Sequence, residues 1–229
     1  MRSQADGGVW VVVPAYNEAR VIAGVVAELI GDAHRIVVVD DGSSDATAGV
    51  AAERGAVVLE HPINLGQGAA LQTGVEFALA RGAEIIVTFD ADGQHRTADI
   101  VRLIDALETH RADFALGSRF LGSAVNMPPL RRTLLRAATW FTRLTTGLAL
   151  TDAHNGLRAM TRRGALCIRL RQNRMAHASE ILGQIAASGL KFVEVPVTIE
   201  YSRYSLAKGQ RLADSLRILV DLSAQRLHR

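Results

Sequence analysis

One stretch limits what this chain can fold into: Glu84-Ile85-Ile86-Val87-Thr88-Phe89-Asp90-Ala91-Asp92-Gly93-Gln94-His95. Its first half is rich in β-branched residues and reads as a strand buried on both faces, the pattern of a parallel sheet. The run stops at two carboxylates one residue apart, followed by the turn-forming Gly93-Gln94-His95. Ligands of open α/β sheets lie just beyond the carboxyl ends of the strands. Two ionised acids there need a partner. A hard cation such as Mg2+ or Mn2+, bridging to a phosphate, would supply it. The plainer alternative is a solvated Asp-Gly turn after a core strand.

The same grammar repeats upstream. Val9 to Val13 reads as an apolar strand stopped by Pro14, then Tyr16-Asn17-Glu18 and a helical period through Ile22, Val25, Val26 and Leu29. Asn17 and Glu18 also suit the start of a helix. Arg35 to Val39 is a second strand, ending in Asp40-Asp41, and Ser43, Ser44 or Asp45 can cap the helix that follows. A third short strand, Val57 to Leu59, leads into a loop with Gly66 and Gly68. These glycines permit close backbone approach of a phosphate or sugar, or simply a tight turn. A helix through Ile100, Leu103, Ile104 and Leu107 follows the opening stretch. Alternation of strand and helix predicts an α/β fold, a mostly parallel, Rossmann-like sheet flanked by helices. Three strand ends carrying acids then converge on one sheet edge, which describes a cation-phosphate site.

Arginines concentrate after residue 112. Phe114 to Phe120 predicts a strand ending near Arg119, a residue for an anionic ligand or for the surface. Beyond Met127-Pro128-Pro129, a helix interleaves Arg131, Arg132, Arg136 and Arg143 with Leu130, Leu134, Leu135, Trp140, Phe141 and Leu144. That composition fits a membrane interface, a dimer interface or a core helix with a basic outer face. Asp152 to Gly156 is a polar turn, Glu180 lies on a helix ending at Gly189, and Leu190 to Val197 is a strand that Pro196 marks as an edge. A basic loop from Tyr201 to Gln210 precedes a last helix through Leu212, Leu216, Leu219 and Leu222. The apolar neighbours of the single cysteine, Cys167, predict a small core residue.

These pieces, in this order, resemble the family 2 glycosyltransferases of the GT-A fold, and among them the dolichyl-phosphate mannose synthase-like, polyprenyl-phosphate sugar synthases. The matching segments are Val-Pro-Ala-Tyr-Asn-Glu (13–18), Val-Val-Asp-Asp-Gly-Ser-Ser-Asp (38–45), Asn-Leu-Gly-Gln-Gly-Ala-Ala (64–70), Asp-Ala-Asp-Gly-Gln-His (90–95), Gly-Ser-Arg-Phe (117–120) and Lys-Phe-Val-Glu-Val-Pro-Val (191–197). The resemblance spans the chain from Val11 to about Asp221. It implies one domain, with residues 1–112 holding the nucleotide-sugar and 113–229 the acceptor. It gives Pro14, Tyr16, Glu18, Asp40, Gly68, Asp90 and Ala91 to the nucleotide-sugar, and Asp92 with Gln94 to Mg2+ or Mn2+ on the diphosphate. Arg119 and Arg131 match positions that receive an acceptor phosphate. Arg203 and Lys208 resemble the basic pair of a loop closing over the diphosphate, with the spacing at Arg203 departing from the commonest version. The implied reaction is transfer with inversion from a GDP-, UDP- or dTDP-sugar to a polyprenyl phosphate. A hydroxyl acceptor would need a base, for which Asp152 and Glu180 both stand as candidates.

The rivals are transfer to a saccharide or other hydroxyl, and a nucleotide-sugar-binding subunit without catalysis. No Gly-x-Gly-x-x-Gly follows the first strand, against a dinucleotide-dependent oxidoreductase. Without Gln-x-x-Arg-Trp, a processive polysaccharide synthase is disfavoured. A net charge of +3 is too small to argue for nucleic acid. The sequence shows neither a signal-peptide core nor an apolar stretch of about 20 residues. The expected location is therefore cytoplasmic, peripheral on the membrane's cytoplasmic face, with a separate membrane protein or a second copy as candidate partners.

Overall fold

The computed structural model describes residues 8–31, 34–173, 176–202 and 204. In chain order they form β1 (Val9–Ala15), α1 (Ile22–Gly31), β2 (Arg35–Asp40), α2 (Thr47–Glu53), β3 (Val57–Glu60), α3 (Gln67–Ala80), β4 (Ile85–Thr88) and α4 (Ala98–His110). There follow β5 (Phe114–Val125), α5 (Pro129–Thr146), β6 (Arg158–Thr161), α6 (Arg162–Leu166), α7 (His177–Ser188) and β7 (Phe192–Glu200).

The strands join one sheet in the order β3-β2-β1-β4-β6-β5-β7. Pairings are parallel except those of β6, which lies antiparallel between β4 and β5. Alternate residues of β1 feed opposite faces: Val11 and Val13 pack with α1, α2 and α4, Trp10 and Val12 with α3, α6 and α7. Burial on both faces is why these strands read as unbroken Val/Ile runs. The segments before and after residue 112 contribute to the same sheet.

Several expectations need correction. Pro14 does not stop β1, which runs to Ala15. Val12 O accepts from Phe89 N–H on the β4 side, and Ala15 O from Asp41 N–H on the β2 side. The two-residue period turns the Pro14 nitrogen towards β4, which has already ended at Thr88, so proline removes no ladder bond. Likewise, β5 does not end at Arg119. It pairs with β7 up to Ser118, bulges, and resumes at Ser123, which re-aims Arg119 off the ladder. Strand β6 was not anticipated. Cys167 is exposed, just beyond α6, rather than in the core. Pro196 does mark an edge, since β7 closes one side of the sheet. The helix expected through Leu212 to Leu222 lies outside the described residues, as do Arg203 and Lys208.

Candidate active site

The carboxyl ends of β1, β2 and β4 meet on one edge, and polar contacts lace their loops together. Asn17, at φ 52°, sits between them. Its N–H donates to Ser43 Oγ (2.9 Å), and its Oδ1 accepts from Ser44 N–H (2.8 Å). Glu18 N–H donates to Thr47 Oγ1 (2.8 Å), which fixes Glu18 where its side chain is buried. The Ser43 hydroxyl donates to the Asp40 carboxylate. Pro14 is buried beneath this loop and Tyr16 is exposed. The adjacent acids at the end of β2 divide their work. Asp41 is turned into the protein, its two oxygens accepting from Leu65 N–H (2.9 Å) and Gly66 N–H (2.7 Å). Asp40 instead lines a groove with Gly42, Ser43, Glu60, His61 and Pro62.

Asp90 and Asp92 share an edge but not an environment. Asp90 Oδ1 accepts from Gln67 Nε2 (3.1 Å), and its Oδ2 meets His95 Nε2 at 3.0 Å. Burial alone would raise its pKa, but the His95 hydrogen bond and the charges of His95, His177 and Arg158 hold it below the ordinary carboxylate value. Asp92 is pushed up to about 6, first by burial and then by repulsion from Asp90, with Glu18 adding to it. Gln94 folds back on it, donating from its N–H to Oδ1 (3.1 Å) and from Nε2 to Oδ2 (2.6 Å). Asp92 is thus the acid whose ionised form wants a cation. Among the described residues no group of three or more His, Cys, Asp or Glu could cage a metal. Asp92 and the Gln94 amide oxygen would hold Mg2+ or Mn2+ as an open donor set, leaving positions for the oxygens of a ligand. Ala91 packs into the core, so only its backbone can serve the site.

On the other side, the turn from Thr151 to Gly156 is held by buried ionic contacts. Glu194 accepts from Thr151 N–H (2.8 Å) and Asp152 N–H (3.1 Å). Arg119 donates from Nε to Asp152 Oδ2 (2.6 Å), from Nη1 to Tyr201 Oη (2.7 Å) and from Nη2 to His154 O (2.6 Å). The turn then presses on Asp90: a Cβ at Gly156 would stand 2.2 Å from Asp90 Oδ2. The Arg131 guanidinium lies 5.0 Å from the centre of the Tyr201 ring.

The model of glycosyl transferase family 2 matches residues 10–168. The chain belongs to that family. It is a glycosyltransferase, with 36% identity over 224 residues to an uncharacterized protein of Methanocaldococcus jannaschii, covering 96% of this chain and 92% of that one. It is 32% identical to the UDP-N-acetylglucosamine–dolichyl-phosphate N-acetylglucosaminyltransferase of Methanococcus voltae (95% of this chain, 96% of that one). Identity to the polyprenol monophosphomannose synthase of Mycolicibacterium smegmatis is also 32% (86% and 79%). Among solved structures, glucosyl-3-phosphoglycerate synthase from Mycobacterium tuberculosis, in complex with Mn2+, UDP-glucose and phosphoglyceric acid, superposes with TM-score 0.69 at 21% identity, over 95% of this chain and 79% of that one. The fold is GT-A, and the resemblance to polyprenyl-phosphate sugar synthases is borne out.

Within this glycosyltransferase, the predicted residues Glu18, Asp40, Asp90, Asp92 and Gln94 do come together along one sheet edge. Others make their contacts within the protein. Arg119 was expected at an acceptor phosphate; its guanidinium instead binds the protein's own turn. Asp152 was a candidate base; its side chain is 1% exposed, with Oδ2 on Arg119 and Oδ1 accepting from His154 N–H (3.2 Å). Glu180, the other candidate, accepts from Arg171 N–H (3.0 Å) and Gln172 N–H (2.8 Å), pinning the loop before α7. That loop is what demands glycine at 68: a Cβ there would lie 2.0 Å from Gln172 O. Sequence reading passed over Gln67, His95, Arg158, His177, Tyr201 and Tyr204. Arg158 left one signal, an arginine among apolar neighbours. Tyr204 donates to Glu18 Oε2 (2.8 Å), a contact no local pattern announces.

Proposed function

We propose that this glycosyltransferase moves a sugar, with inversion, from a nucleoside-diphosphate sugar to a polyprenyl phosphate at a membrane surface. The observation that carries this reading is the condition of the two candidate bases. A hydroxyl acceptor must give up a proton to a nearby base. Asp152 and Glu180 are both committed to internal hydrogen bonds. A phosphate acceptor arrives ionised and needs neither. One of its oxygens attacks the anomeric carbon opposite the leaving group. The new carbon–oxygen bond forms as the bond to the donor diphosphate breaks, and the diphosphate departs with the electron pair.

On this reading residues 1–112 hold the donor. Pro14, Tyr16, Glu18 and Asp40 line the nucleoside pocket, with Asp90 at the ribose and sugar. Asp92, helped by Gln94, would hold Mg2+ or Mn2+, whose chemistry is to offset charge on the departing diphosphate. Arg203 and Lys208 would close over that diphosphate. Residues 113–229 hold the acceptor, with Arg131 receiving its phosphate.

The helix that starts beside Arg131 supports a lipid surface. Helix α5 carries four arginines and no acid. Its amphipathicity is reversed: Thr139 and Thr142 are buried while Trp140 is 63% and Leu144 61% exposed. Exposed apolar residues alternating with arginines suit the interface of an anionic bilayer. No helix among the described residues is long and apolar enough to cross a membrane.

The test is a donor screen. The purified protein is incubated with Mn2+ or Mg2+, GDP-, UDP- and dTDP-sugars, and a short-chain polyprenyl phosphate in anionic vesicles. The expected result is a sugar-lipid in the vesicle fraction, abolished by EDTA and by Asp92→Asn without a fall in melting temperature. Transfer only to a soluble hydroxyl would overturn the acceptor assignment. Normal turnover by Asp92→Asn would overturn the metal assignment.

A further inference from the structure

Tyr201 lies immediately after β7 and is buried, at 2% exposure. Its backbone N–H donates to Val125 O (3.1 Å), so the bulged end of β5 fixes its position. From there it touches two cations by two different parts of one side chain. Its hydroxyl accepts from Arg119 Nη1 at 2.7 Å. The face of its ring carries the Arg131 guanidinium, 5.0 Å from the centroid. Arg119 in turn clamps Asp152 and the His154 carbonyl.

We infer that Tyr201 is a positioning residue for the acceptor: its ring sets where Arg131 meets the acceptor phosphate, and its hydroxyl ties that position to the Arg119–Asp152 clamp. The inference rests on the reading of Arg131 as the acceptor-phosphate cation. Arginine is long and loses much side-chain freedom when it is fixed. A buried aromatic face offers it a preferred resting place through cation–π attraction and stacking. A guanidinium so held presents its free edge without having to be ordered by the ligand, and preorganisation of that kind raises affinity. Because the same ring is anchored at its far end by Arg119, the acceptor cation inherits its register from the turn that presses on Asp90. Tyr201 itself need not touch any substrate.

Two substitutions separate the ring from the hydroxyl. In Tyr201→Phe the ring stays and the hydrogen bond goes; in Tyr201→Leu both go. Steady-state kinetics with the active donor and vesicle-borne polyprenyl phosphate give donor and acceptor KM separately. Tyr201→Leu is expected to raise acceptor KM about tenfold, equivalent to about 1.4 kcal/mol, and to leave donor KM within about twofold; a cation over a desolvated ring is worth that much. Tyr201→Phe keeps the ring and loses only its tether to Arg119, so it is expected to raise acceptor KM about threefold, the effect of one modest hydrogen bond, a partial rescue that traces most of the loss to the ring.

The deciding measurement is the double variant. If Tyr201 acts through Arg131, adding Tyr201→Leu to Arg131→Ala raises acceptor KM no further. Full additivity of the two would overturn the inference and leave the acceptor assignment standing. So would Tyr201→Phe raising acceptor KM as far as Arg131→Ala does, an outcome that can be read even if the leucine variant fails to fold. An acceptor KM unmoved by Arg131→Ala would overturn both.

Discussion

Arg119 offers the sharpest test, because the family resemblance gives it to an acceptor phosphate while its guanidinium is bonded within the protein. Consider Arg119→Met, which keeps most of the aliphatic length and removes the guanidinium. Three donated hydrogen bonds disappear, to Asp152, Tyr201 and His154. The Asp152 side chain, 1% exposed, would keep only backbone donors, the N–H groups of Arg119 (3.1 Å) and His154 (3.2 Å). Breaking a buried ion pair from one side costs about 3–5 kcal/mol, because a charge is left without its counterpart. In a chain of 229 residues that corresponds to a fall in Tm on the order of 10 °C. Adding Asp152→Asn removes the stranded charge, so the double variant should recover part of the loss. The assay is urea and thermal denaturation of the parent and both variants, with acceptor KM measured on each folded protein. If Arg119→Met lost less than about 1 kcal/mol while acceptor KM rose tenfold, the guanidinium would belong to the ligand. The turn would then be held by Glu194 rather than by Arg119.

Two further outcomes are expected. Gly156→Ala places a methyl 2.2 Å from Asp90 Oδ2, so Asp90 must move; kcat/KM should fall roughly 100-fold, as displacements near 1 Å do, and an alanine variant with parental kcat/KM would refute the contact. His154 is pushed down to about 4 by burial, below its usual 6.5. As pH falls through that window the unfolded chain takes up a proton that the folded chain refuses, so folding should weaken by about 3 kcal/mol towards the lower end. Urea denaturation at pH 7 and pH 4.5 should show a flatter dependence in His154→Asn, and equal slopes would refute the assignment.

How much of this could be read from the sequence depends on the range of the forces involved. Val/Ile runs, acids at strand ends and the edge proline are local signals, and each lies where its pattern placed it. What escaped was set by partners far along the chain. Thr88 donates to Gly156 O across 68 residues and Arg119 to Tyr201 across 82, and neither leaves a periodicity. Strand β6 is four residues long and begins with an arginine, too short for alternation to identify. Burial of Arg158 becomes intelligible only once its neighbours are assembled: Asp90 and Asp152 both lie within its electrostatic reach. Asp40 and Asp41 are indistinguishable as letters. They separate because successive residues at a strand end point to opposite sides, one towards the groove and one towards the amides of Leu65 and Gly66.

Partners far along the chain likewise suit two carboxylates one residue apart to different tasks. Asp90 is met by Gln67 and His95 and sits within the field of Arg158, so its charge is largely offset before any ligand arrives. Asp92 has Gln94 for company and two acids, Asp90 and Glu18, raising its proton affinity. A carboxylate of the first kind can hold a fixed orientation and accept hydrogen bonds from neutral hydroxyls. One of the second kind gains most from a divalent ion, since the ion removes the repulsion that burial amplifies. The arginines of α5, Arg131 among them, carry the opposite sign. Under the proposed function, an anionic acceptor would be drawn to those arginines and repelled by the acids until a cation neutralises them.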